Sequence, residues 1–102
     1  MNLPPLQRAV LSGDELDALF FDVEAAAELI EVVPKYGPTT RASDARPSLA
    51  EARTLLRSGE VIAIQLRYRH RGKEWWDTLM PRTNGTELVR IEIARDAQGD
   101  DR

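Results

Sequence analysis

The stretch "LRYRHRGKEWWDT", residues 66–78, holds the side chains best suited to chemistry at a surface. Arg67, Arg69, Arg71 and Lys73 alternate with Tyr68 and His70, and the pair Trp75–Trp76 follows. Cations set among aromatic rings suit two kinds of work. A guanidinium over an indole face forms a cation–π pair, worth about 0.5–2 kcal/mol. The same arrangement can stack an unpaired base on a ring while neighbouring cations neutralise its phosphates. Asp77 and Glu92 belong to the same expected surface and would repel phosphate. A protein-facing surface is therefore the first expectation, and single-stranded nucleic acid held by residues 67–75 is the alternative.

A second set is acidic. Asp17, Glu24, Glu28 and Glu31 fall at i, i+7, i+11 and i+14, which places them on one side of a continuous helix with no Lys or Arg among them. A positive partner is expected to offset their repulsion, either Arg53 or Arg57 of a second helix or another protein. These carboxylates do not form a di-iron signature, which needs a Glu-x-x-His pair, and the chain's single His is elsewhere. That His70 is expected at an exposed hairpin tip between Arg69 and Arg71. Neighbouring cations disfavour its protonated form and make it a poor general base. No nucleophile with its base, no glycine-rich phosphate loop and no metal-ligand spacing is visible. The sequence therefore predicts no enzyme and calls for no cofactor or metal. "NGT", Asn84–Thr86, reads as a hairpin turn rather than a glycosylation acceptor.

The totals set the frame for these residues. A length of 102 residues corresponds to a single domain, with 42% hydrophobic and 30% charged residues as in soluble globular proteins. No apolar run is long enough to span a bilayer. The absence of cysteine removes disulfides and thiolates, and with no signal-like N-terminus a cytoplasmic location is expected. Charge is unevenly placed. Residues 1–34 carry one Arg against seven acids, whereas residues 35–95 carry twelve Lys or Arg against seven acids. Such asymmetry suits partner binding or charge pairing within the fold.

Two helices announce themselves by their caps. Ser12 with Glu15, and Ser48 with Glu51, are capping boxes. Leu16, Leu19, Phe20, Val23, Ala27 and Ile30 continue the first helix as an apolar stripe toward Pro34, which stops it. The β-branched run Ile30, Val32, Val33 leaves a second possibility, a short edge strand at 30–36, where Pro34 is tolerated. Residues 37–47 read as an inter-helix loop, and Gly59 ends the second helix.

Three strands follow, in "EVIAIQLRYRH", "KEWWDTLM" and "TELVRIEIA". A two-residue turn at Asn84–Gly85 would pair Met80 with Val89 and Trp76 with Ile93. For the first hairpin a two-residue turn at Arg71–Gly72 would put Asp77 beside Leu66 and Trp75 beside Tyr68, whereas a three-residue loop at 70–72 would pair Leu66 with Trp76. The second agrees with the Asn84–Gly85 turn and is the expected register. The expected core face then reads Ile62, Ile64, Leu66, Tyr68, Trp76, Thr78, Met80, Val89, Ile91 and Ile93. The expected outer face supplies the candidate interaction surface: Arg67, Arg69, Trp75, Asp77, Leu79, Leu88 and Arg90, with Arg67 opposite Trp75.

The expected fold class is α+β, two helices packed on one face of a three-stranded antiparallel β-meander in the order α-α-β-β-β. Residues 1–102 form a single domain with flexible ends at 1–5 and 96–102. Both outer strands of such a meander would be exposed edges, which favours a protein partner or self-association as a homodimer. The predicted function is a small non-catalytic protein-interaction module acting through the outer sheet face or the acidic helix.

Overall fold

A computed structural model describes residues 6–38 and 46–94. The expected ends at 1–5 and 96–102, and most of the 37–47 loop, lie outside the described residues.

The chain is α+β, but the sheet has five strands rather than three. The elements run β1 (Leu6–Leu11), α1 (Gly13–Ala26), β2 (Glu28–Tyr36), α2 (Leu49–Ser58), β3 (Val61–His70), β4 (Lys73–Arg82) and β5 (Gly85–Ile93). All neighbours are antiparallel, in the order β1-β5-β4-β3-β2. The three-stranded meander is thus the centre of the sheet, and each of its outer strands is paired. The edges that argued for self-association at β3 and β5 do not exist.

Both capping boxes form as their spacing predicts. Ser12 and Ser48 accept from the amides of Glu15 and Glu51, whose carboxylates accept in turn from the Ser amides. α1 ends earlier than its apolar stripe suggests. Its C-cap is Ala27, in an extended conformation, whose amide donates to the Val23 carbonyl at 3.1 Å. The β-branched residues after it favour strand over helix, and β2 takes them. Pro34 fits there because β2 is an edge strand and its missing amide interrupts no inner ladder.

α1 carries the chain across the whole sheet. β1 and β2 lie at opposite edges, separated by four interstrand spacings of about 4.8 Å, roughly 19 Å in total. The 14 residues of α1 span roughly 21 Å at 1.5 Å per residue. The helix is therefore long enough to bridge that width, and it contacts β1, β5 and β2. Leu16, Phe20 and Val23 point from it into the core, with Ala52 and Leu56 from α2. Each large apolar side chain so buried contributes about 1.5–3 kcal/mol.

The first hairpin corrects the faces. Its turn is the two-residue Arg71–Gly72, both with positive φ (55° and 79°), which suits a type I′ turn. Leu66 therefore pairs with Asp77, Ile64 with Leu79 and Tyr68 with Trp75. The second turn sits at Thr83–Asn84, one residue earlier than expected, and Arg82 pairs with Gly85. That moves the β4–β5 register by two residues and leaves its faces unchanged. The first hairpin differs by one residue, and a one-residue slip exchanges every side chain between faces.

The helix-covered face consequently reads Val32, Ile64, Leu66, Tyr68, Asp77, Leu79 and Leu88, all buried. Of the expected core face, Ile64, Leu66 and Tyr68 are in place. Trp76, Thr78, Met80, Val89, Ile91 and Ile93 lie on the opposite face. Ile62 is exposed, and Val61 is buried in its stead. The register shift between Lys35 and Tyr36 in the adjoining strand accompanies that exchange.

Candidate interaction surface on the open sheet face

Strand pairing lays the open face out in rows. Ile91 on β5 lies beside Trp76 on β4, then Arg67 on β3 and Glu31 on β2. The next row holds Arg8, Val89, Thr78, Gln65 and Val33, and the next Val10, Glu87, Met80, Ala63 and Lys35. The face is therefore divided. Val10, Met80, Val89, Ile91 and Ile93 make one half largely apolar, interrupted by Glu87 with Arg8 and Arg82, whereas β3 and β2 make the other half mostly polar and charged. Trp76 stands at the boundary. Among the described residues no helix or strand covers this face.

The charged half is an interlocked network. The Arg67 guanidinium lies 4.0 Å from the centre of the Trp76 ring, the stacking expected, but on Trp76 rather than Trp75. Arg67 also donates through Nε to Gln65 Oε1 at 2.7 Å and through Nη1 to Glu31 Oε1 at 3.4 Å. Gln65 donates to Thr78 Oγ1 at 3.1 Å, and Trp76 Nε1 donates to Glu74 Oε2 at 2.8 Å. Arg46 reaches the other oxygen of Glu31 at 3.1 Å, Arg69 meets Glu28 at 3.6 Å, and Arg8 and Arg82 meet Glu87 at 3.7 and 3.0 Å. These five arginines share three glutamates, Glu31 and Glu87 each meeting two, so much of the positive charge is engaged within the face.

The expected surface residues divide accordingly. Arg67 and Arg69 are on the open face. Trp75, Asp77, Leu79, Leu88 and Arg90 are on the helix-covered side. Leu79 and Asp77 are fully enclosed, and Trp75 packs against the core. The acidic stripe is also broken up. Asp17 and Glu24 are on α1, but Glu28 and Glu31 are on β2. Asp17 accepts from Arg53 Nε at 2.7 Å, one of the two cations expected to meet it. Glu28 and Glu31 pair with the sheet arginines.

Asp77 explains why the covered side looked like an outer face. Arg90 donates to both its oxygens at 2.8 Å, and the Tyr68 hydroxyl donates to Oδ2 at 2.9 Å. Burial first, and the Asp77 carboxylate second, push the Tyr68 phenol well above its usual range. The hydrogen bond to Asp77 raises the Arg90 guanidinium further. His70 is half-buried rather than exposed, its Nδ1 3.1 Å from the Ala26 carbonyl at the end of α1.

Sequence reasoning missed Met80, Val89 and Ile91 as surface residues. Their signal lay in the two-residue Arg71–Gly72 turn, which the structure adopts in place of the expected three-residue loop. Among the described residues no group of three acidic or His side chains is placed to hold a metal ion, and no helix is long and apolar enough to cross a membrane. No protein-family model matches the chain, and no curated protein or solved structure does.

Proposed function

We propose that this chain is a non-catalytic protein-interaction module that docks another protein on the open face of its sheet. The observation that carries the reading is the apolar half of that face. Val89, Ile91 and Ile93 run along β5 between Val10 and the side chains of Trp76 and Met80, with no element of the described chain over them. Val10 is exposed and the others are half-buried; apolar surface rimmed by polar groups is characteristic of interaction sites. Trp76 and Arg67 at its border are residue types enriched at the centres of interfaces. The partner surface that fits is apolar, with polar groups to meet the Arg67–Glu31 network at its rim.

The ion pairing of the face counts against the alternative, a single-stranded nucleic-acid site. Glu28, Glu31, Glu74 and Glu87 stand among its arginines, and the accessible ring of Trp76 already carries Arg67. Tryptophan fluorescence on titration with oligonucleotides at low salt decides that point, because phosphate contacts make binding salt-sensitive.

The docking reading is tested with paired baits, the wild-type chain and Ile91→Lys, whose fold is verified by its urea transition. A partner isolated with the wild type is then purified and recombined with each bait. Stoichiometric binding to the wild type and its loss with Ile91→Lys is the expected result. A partner held equally by both, or held through α1, overturns the assignment of the face.

A further inference from the structure

On the other side of the sheet a pocket of about 380 Å³ opens between the C-terminal half of α1 and the tip of the β3–β4 hairpin. Its two walls carry opposite charge. The sheet wall presents His70, Arg71 and Arg90. The helix wall presents Asp22 beside the C-terminal end of α1, the negative end of the helix dipole, and no basic residue occupies the last turn of α1 to offset it. Between them Leu19 and Val23 supply an apolar side.

The polar groups are held in place. Arg90 is fixed by Nε and Nη2 on the buried Asp77, and Nη1 is not part of that clamp. His70 is anchored through Nδ1 to the Ala26 carbonyl, which leaves Nε2 as its other polar atom. Arg71 sits in the left-handed turn at φ 55°. Among the described residues neither Arg71 nor Asp22 has an ion-pair or hydrogen-bond partner. Two unmatched charges of opposite sign thus line one pocket whose deepest cation is rigidly oriented.

We propose that this pocket binds a small zwitterion of the amino-acid type. Its carboxylate meets Arg71 and Arg90, its ammonium meets Asp22 and the end of α1, and its apolar body lies on Leu19 and Val23. The volume is near the lower end of small-molecule sites, which suits a compact ligand. A simple carboxylate leaves Asp22 unmatched, and a simple amine leaves Arg71 unmatched. Preorganised donors such as the clamped Arg90 lower the ordering cost of binding.

Amide NMR titration tests this with three probes: L-leucine, 4-methylpentanoate, which lacks the ammonium, and 3-methylbutylamine, which lacks the carboxylate. L-Leucine is expected to give saturable shifts confined to residues 22–27, His70, Arg71 and Arg90. Each single-charge probe is expected to bind about tenfold more weakly or worse, a loss of roughly 1.4 kcal/mol. Asp22→Asn is expected to bring leucine down to the level of 4-methylpentanoate, and Arg71→Gly to weaken both carboxylates. Both positions are exposed, and glycine tolerates the left-handed turn, so unchanged shifts elsewhere verify the fold. The proposal is overturned by no saturable shift up to about 50 mM, an affinity too weak to matter on the usual scale. It is equally overturned by shifts located elsewhere, or by 4-methylpentanoate binding as tightly as leucine. The pocket and the open face are on opposite sides of the sheet, so this result is independent of the partner experiment.

Discussion

Arg90 on β5 and Asp77 on β4 are register partners, joined by two hydrogen bonds of 2.8 Å with the carboxylate fully buried. Bidentate geometry makes this a strong pair, yet its desolvation cost offsets much of the gain. Removing one partner is therefore far worse than removing both. Asp77→Ala leaves the Arg90 charge and the Tyr68 hydroxyl without their acceptor and is expected to cost about 3–5 kcal/mol in urea denaturation. The double substitution Asp77→Leu with Arg90→Leu is expected to recover most of that loss. A double variant no more stable than the single one would show that the pair itself, rather than its unmatched remnant, holds the sheet.

Tyr68 gives the pair a pH signature. Its phenol titrates higher in the fold than its ordinary value of about 10. A raised value favours the neutral form, so its contribution is complete below pH 10 and is lost as pH rises through the folded value. In a Tyr36→Phe background, ultraviolet absorbance is expected to show the remaining phenol ionising only together with alkaline unfolding. Tyr68→Phe is expected to flatten the alkaline limb of the stability profile.

Gly85 stands where β5 begins, at φ 138°, and an added Cβ would lie 2.5 Å from the Leu11 carbonyl oxygen of β1. Backbone of this kind is poorly open to other residues, at about 1–3 kcal/mol, and the clash adds to it. Gly85→Ala is expected to destabilise the chain. Its amide exchange should rise first in β1, with β3 and β4 retaining their protection. Uniform loss of protection would contradict a local role.

The two capping boxes act on separate helices. Ser12→Ala and Ser48→Ala are each expected to cost about 1 kcal/mol, and the double variant to lose the sum within about 0.5 kcal/mol. Thermal or urea unfolding measures both.

These caps were legible because they are local: a Ser and a Glu three residues apart define the motif wherever it occurs. The strand alternation was legible for the same reason, and Ile64, Leu66 and Tyr68 were placed correctly. What was hidden is non-local. β1 has little apolar alternation of its own and is a strand because β5 is there to receive it. β2 competes with a helical pattern through Ala27 and Ile30 until its pairing with β3 decides. The candidate surface failed on a single turn, the three-residue loop expected at 70–72 in place of the two-residue Arg71–Gly72. Asp77 and Arg90 look like surface residues in a sequence, and only their contact with each other makes a core position tenable. The register of that loop put Asp77, Leu79, Leu88 and Arg90 outward together, and Trp76 and Ile91 inward in exchange. Arg67 and Arg69 survived because β3 kept its faces.

The order of the sheet also bears on how the chain matures. Leu6 pairs with Ile91, so β1 cannot take its place in the sheet until β5 has been made. Until β5 emerges, β1 and the apolar side of α1 have no completed sheet to receive them. Closure of so long a loop slows folding, and the nascent chain holds this apolar surface exposed from the synthesis of β1 until that of β5. The β3–β4 hairpin can form earlier, but β1 and α1 are secured only once β5 has joined the sheet.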